Sequence, residues 1–172
     1  DGVNAAYSSA AILSGATITG NGAHPQFSGN GVGVYDAASA DVSDANVTAN
    51  DGAGITTWLG GMVNAPRSFA NGNLRGNGYL AGAVSGIDAP GSEAKNNSGN
   101  GYEATHGGAL QATATYDFST NPATIVKRSV ADHNGQAGFR AGTGGVIEAR
   151  DSESTWNQQD GYHAWTNGTL AV

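Results

Sequence analysis

Glu103, Arg140 and His163 occupy the same place in three successive units of a repeat, each two residues after a glycine. A carboxylate, a guanidinium and an imidazole on one face can protonate a glycosidic oxygen or take a C5 proton from a uronate. If neighbouring units stack about 4.8 Å apart, Glu103 lies beside Arg140 and roughly 10 Å from His163. Glu148 stands on the second strand of the Arg140 unit, and these four are the candidate catalytic residues. A plainer reading also fits: solvated side chains with one Glu–Arg pair across units, worth under about 1 kcal/mol.

Trp58 and Trp165 each fall four residues after their glycine, so both should point outward on that same face. An exposed indole offers a sugar ring a flat apolar surface with a polar edge; packing against a neighbouring subunit or a covering loop is the alternative. His106, at the turn after Glu103, and Tyr116, in an inserted segment, complete the candidate glycan-binding set. Trp156 lies near an Asn turn, where it is expected to cover a corner.

The element that must position these residues is the repeat. Glycine followed by an apolar residue recurs at Gly33-Val34, Gly54-Ile55, Gly78-Tyr79, Gly101-Tyr102, Gly138-Phe139 and Gly161-Tyr162, at spacings of 21, 24, 23, 37 and 23. Nine residues on comes an aliphatic side chain (Val42, Val63, Ile87, Leu110, Ile147, Leu170), and a Ser and an Asn close the unit. A fixed period in this range marks a solenoid.

Apolar positions within a unit alternate, as in Phe139-Arg140-Ala141 and Val146-Ile147-Glu148-Ala149, which is the pattern of short strands with one buried face. The positions one and three after the glycine must face inward, because the one between them is Thr56, Leu80, Glu103, Arg140 or His163, and burying such charges unpaired costs several kcal/mol. Turns are supplied by Gly60-Gly61, Gly107-Gly108 and Gly144-Gly145. Two or three strands per coil, coil upon coil, make an all-β parallel β-helix of about seven coils, counting a degenerate first one at Gly2-Val3. Right-handedness follows the usual crossover of parallel strands. Asn73, Asn97, Asn134 and Asn157 are expected to form an amide ladder inside one turn, with Ser68, Ser92, Ser129 and Ser152 a weaker one. The surplus of 14 residues before Gly138 assigns Thr113 to Lys127 to a loop or hairpin, and Gly22 to Phe27 reads as a smaller excursion.

Composition narrows the partners. At 172 residues the chain is one domain, and with no Met at its start and a stop partway through a repeat it reads as a fragment of a longer protein. Fourteen acidic residues against seven basic ones argue against nucleic acid, no stretch is apolar enough to insert into a membrane, and the absence of Cys removes disulfides and thiolate sites. His24, His106, His133 and His163 lack close-spaced partners, so no metal and no cofactor are expected. Asn30-Gly31-Val32-Gly33-Val34 reads as a turn, since a calcium-binding repeat would have a period of about nine.

The stretches Asn97 to Ala112 and Asn134 to Ser152, of the form Asn-x-x-x-Gly-aromatic-x-Ala followed by Gly-Gly, resemble the pectate-lyase-like right-handed parallel β-helices of bacteriophage tail spikes and tail fibres. The resemblance extends over about Gly31 to Val172. It implies a homotrimeric spike of the virion tail, extracellular, attached to other virion tail proteins, that contacts host surface polysaccharide by binding or cleaving it. The leading expectation is a structural and receptor-binding segment. A polysaccharide lyase or hydrolase on the same coils, or a purely architectural shaft, are the alternatives.

Overall fold

The computed structural model describes residues 1–22 and 29–172; the excursion expected at Gly22 to Phe27 lies almost wholly outside the described residues. The chain is a right-handed parallel β-helix with three strands per coil. The first sheet stacks Val3–Ala5, Val32–Val34, Ile55–Thr57, Tyr79–Ala81, Tyr102–Ala104, Phe139–Gly142 and Tyr162–Trp165. The second runs from Ala10–Ile12 to Thr169–Ala171 in seven strands, and the third from Thr17–Thr19 to Glu153–Thr155 in six. All pairing within these sheets is parallel and in register, so one repeat position becomes one straight column.

The inward columns form the core. Tyr79, Tyr102, Phe139 and Tyr162 stack ring on ring at 4.8, 4.8 and 5.0 Å, with planes 2°, 3° and 7° apart. Each such pair adds about 0.5–1.5 kcal/mol beyond its buried area. Volume is balanced across the rod: opposite these aromatics the third sheet narrows to Ala94 and Ala131, whereas opposite Val32 it carries Val47. Interiors packed at crystal-like density need such compensation.

Glycine begins each unit because the backbone there meets the Asn turn of its own coil. A Cβ on Gly54 would stand 2.8 Å from the Asn73 amide nitrogen and 2.9 Å from the Ala70 methyl. The first turn places two consecutive residues at positive φ, as in Leu59 (54°) and Gly60 (81°). Glycine carries the second of these freely, and Val84, Ala37 and Asn167 adopt it elsewhere.

Three expectations need correction. In the second coil the in-register pair is Gly31-Val32, not Gly33-Val34, because Val32 pairs with Ile55 and Val34 with Thr57. The spacing there is thus 23, Ala40 pairs with Val63 in the aliphatic column, and Val42 falls two places beyond it. Two tandem Gly-Val pairs made the register ambiguous in sequence; Gly33 faces outward beneath the Tyr35 ring, whose atoms a Cβ would meet at 2.6 Å.

The Ser column is not a Ser–Ser ladder. Ser68, Ser92 and Ser152 each donate to the carbonyl three residues back and meet the phenol of the next coil's tyrosine, Ser92 with Tyr102 at 2.9 Å. Ser129, whose next coil offers Phe139 and no hydroxyl, donates instead to Thr113 and Ala89 carbonyls.

Finally, Trp156 covers no corner. It is 80% exposed, with the His133 ring 6.3 Å away.

Candidate functional site

The outward face of the first sheet carries the chemistry. Its middle column runs Gly33, Thr56, Leu80, Glu103, Arg140, His163 in register. The column is less solvated than its residue types suggested. Thr56 is 2% exposed and its hydroxyl has no hydrogen-bond partner among the described residues, while Leu80, Glu103, Arg140 and His163 are half-buried.

Glu103 is the most tightly held member. Its Oε2 accepts from the amides of Asn77 at 2.8 Å and Asn100 at 3.0 Å, and its Oε1 meets the Arg140 guanidinium at 3.4 Å. Three donors around one half-buried carboxylate fix its rotamer, which suits positioning better than proton transfer. Asn77 and Asn100 belong to a short second amide column: Asn100 N–H donates to Asn77 Oδ1 at 2.7 Å, and Ala137 N–H to Asn100 Oδ1 at 3.0 Å. The residue before the unit glycine supplies this column, and its signal was present in the recurring Asn30-Gly31, Asn77-Gly78 and Asn100-Gly101. His163 Nδ1 pairs with Asp160 at 2.5 Å, one coil beyond Arg140.

The two tryptophans flank this column in a specific way. Trp58 lies forward over Gly82 of the next coil, whose Cβ would meet the indole at 2.8 Å, and its ring stands 5.9 Å from His106 one coil further. Trp165 lies back over its register partner Gly142, with the Arg140 guanidinium 5.1 Å above its ring. The indoles therefore lean toward each other from either side of the Tyr102–Ala104 coil. The gap between their glycine seats spans two coils, roughly 10 Å, and Thr105 lies at its centre. An apolar indole surface at each end, with a guanidinium, an imidazole and amides close by, can hold a pyranose ring and its hydroxyls.

Glu148 and Tyr116 stand apart from this face. Glu148 points outward from the second sheet, accepting from Gln111 at 3.0 Å and pairing with Arg150 at 3.1 Å. Tyr116 sits on an antiparallel hairpin, Thr115–Asp117 with Thr124–Lys127, and donates its phenol proton to Asp151 at the turn between the second and third sheets. That hydrogen bond raises its pKa.

Asn73, Asn97, Asn134 and Asn157 form a buried amide ladder that also takes in Asn21 and Asn50. Each side chain donates to the next Oδ1, at 2.7–3.2 Å, and each Oδ1 also takes a backbone N–H. It braces the rod and lies away from the tryptophans. Among the described residues no group of three His, Asp or Glu side chains could hold a metal ion.

Comparison with known proteins gives no match: no family model, no curated protein and no solved structure is similar enough to this chain to place it.

Proposed function

We propose that this chain is a structural and receptor-binding segment of a bacteriophage tail spike or tail fibre, extracellular on the virion, and that it holds host surface polysaccharide on the outward face of its first sheet. The observation that carries the reading is the pair of indoles laid over glycines, Trp58 over Gly82 and Trp165 over Gly142, on either side of the Thr105 coil that also carries Glu103, with Arg140 over the Trp165 ring. Two large aromatics, each seated on a glycine of its neighbouring coil, are an inefficient way to cover a sheet and an effective way to grip a sugar. Rigid columns at 4.8 Å need little ordering on binding, which favours affinity from few contacts. In this reading the spike is a homotrimer joined to other virion tail proteins.

Cleavage by Glu103, Arg140, His163 and Glu148 acting together is disfavoured, because Glu148 faces another direction and Glu103 is engaged by Asn77, Asn100 and Arg140. The test is incubation of the protein with purified capsular polysaccharides and lipopolysaccharide O-chains, following retention and chain length. Retention without shortening supports a binding spike. Shortening that is lost in Glu103→Gln would overturn it in favour of an enzyme.

A further inference from the structure

The second sheet has an outward face of its own, and the middle of that face is hollow. One outward column reads Met62, Gly86, Ala109, Val146 in register, and the other reads Asn64, Asp88, Gln111, Glu148. Gly86 has no side chain and Ala109 only a methyl, so the first column dips between Met62 and Val146. The dip is a trough of about 300 Å³, floored by Gly86, Ile87, Ala109 and Leu110. The Met62 thioether leans in from one end: a Cβ on Gly86 would meet its Cε at 2.8 Å and its Sδ at 2.9 Å.

Two carboxylates, Asp88 and Glu148, line one long side of this mainly apolar floor. Gln111 stands between them, so they are two coil steps apart, roughly 10 Å along the rod axis. Asp88 has no ion-pair partner among the described residues, and partial desolvation raises its carboxyl pKa above the ordinary value. Glu148 accepts from the Gln111 amide and pairs with Arg150, but that guanidinium is 67% exposed and such pairs are weak. A desolvated carboxylate beside an apolar surface is best satisfied by a cation that brings its own apolar body.

We propose that this trough binds a linear aliphatic diammonium, the chemistry of the polyamines, with its methylene chain along Gly86 and Ala109 and its two ammonium ends at Asp88 and Glu148. With bonds of about 1.5 Å, an extended chain of roughly seven methylenes sets its nitrogens at the two-coil separation. The floor takes the methylenes out of water while the charged heads stay at the polar edge, as lysine stems do on protein surfaces. A single ammonium, such as one lysine side chain, would satisfy only one of the two carboxylates. A metal ion does not fit, since carboxylates two coils apart cannot share one and no group of three His, Asp or Glu side chains converges among the described residues. An anionic or neutral apolar ligand would desolvate both carboxylates without pairing them. Fourteen acidic residues against seven basic ones draw cations toward the rod from a distance. The trough shares no residue with the Trp58 and Trp165 face, so diamine binding and glycan binding stand or fall separately.

Calorimetric titration of the 172-residue chain with heptamethylenediamine tests it. The parent should bind saturably. Trimethylenediamine, with the same charge but too short to reach both carboxylates, and n-heptylamine, with the length but one charge, should each bind about tenfold more weakly or worse. Asp88→Asn and Glu148→Gln, which keep the side-chain shape, should each weaken binding by about tenfold. Ala109→Leu retains both carboxylates and fills the floor at an exposed position, and should abolish binding with an unchanged circular dichroism spectrum. Arg150→Gln removes the guanidinium that competes for Glu148, and should tighten binding severalfold. No saturable binding by the parent, equal binding of trimethylenediamine, undiminished binding by Asp88→Asn, or weaker binding by Arg150→Gln would each overturn the proposal.

Discussion

Trp165 rests on Gly142, its register partner in the preceding coil, and the site depends on that seat. A side chain at Gly142 would collide with the indole ring, while the backbone there, at the end of the Phe139–Gly142 strand, is paired normally. Gly142→Ala should therefore displace Trp165 and weaken polysaccharide binding by tenfold or more (about 1.4 kcal/mol). Thermal stability should change little. Tryptophan fluorescence and a binding titration read the two effects separately.

The interior is narrow, and Ala141 is fully buried in it between Ala104 and Ala164 of the neighbouring coils. Ala141→Leu adds three carbons with no cavity to receive them, at an expected cost of about 1–3 kcal/mol. Denaturant unfolding measures it, and equal stability would show that this column is not packed as described.

Asn97 is at the centre of the ladder. It accepts from Asn73 and donates to Asn134 and the Ala70 carbonyl, all buried. Asn97→Ala leaves two buried donors on Asn73 without their acceptor and Asn134 Oδ1 with the backbone N–H of residue 97 alone, and should cost about 2–4 kcal/mol. Asn157, at a half-buried position, should cost less when replaced, because water can substitute.

Burial pushes the phenols of Tyr79 and Tyr102 well above their ordinary value of about 10. The folded state thus holds these protons more tightly than the unfolded chain does. Their contribution is complete below about pH 10 and is lost as pH rises from there toward the folded pKa values. The rod should unfold at alkaline pH with the two phenolates appearing together in that transition. Tyr102→Phe, which gives up the hydroxyl that meets Ser92, should move the alkaline limit upward. An absorbance titration for phenolate, run alongside circular dichroism, checks both statements.

The period, the three-sheet coil and the inward columns were legible because a solenoid writes each structural position as a recurring residue type. Tyr79, Tyr102 and Phe139 declare a buried column in any alignment of the units. The second coil was misread because Gly31-Val32 and Gly33-Val34 are equivalent in type, and only pairing to Ile55 separates them. The site was half legible. The outward positions of Trp58 and Trp165 followed from parity, but their lean toward each other depends on which neighbouring coil carries glycine, a relation between units rather than within one. Glu148 was grouped with Glu103 from the second strand of the adjacent unit, yet the turn at Thr143-Gly144 carries that strand into another sheet with its own outward face. Asn77 and Asn100 were missed, although their amides hold the Glu103 carboxylate.

Titration of the intact protein with a panel of purified capsular polysaccharides and lipopolysaccharide O-chains, read by tryptophan fluorescence in the parent and in Trp165→Ser, tests the central claim most directly. The expected result is saturable binding of at least one glycan by the parent, with a spectral shift, weakened tenfold or more in Trp165→Ser. Saturable binding that survives Trp165→Ser and Trp58→Ser undiminished, or no binding by the parent to any of the panel, would contradict it.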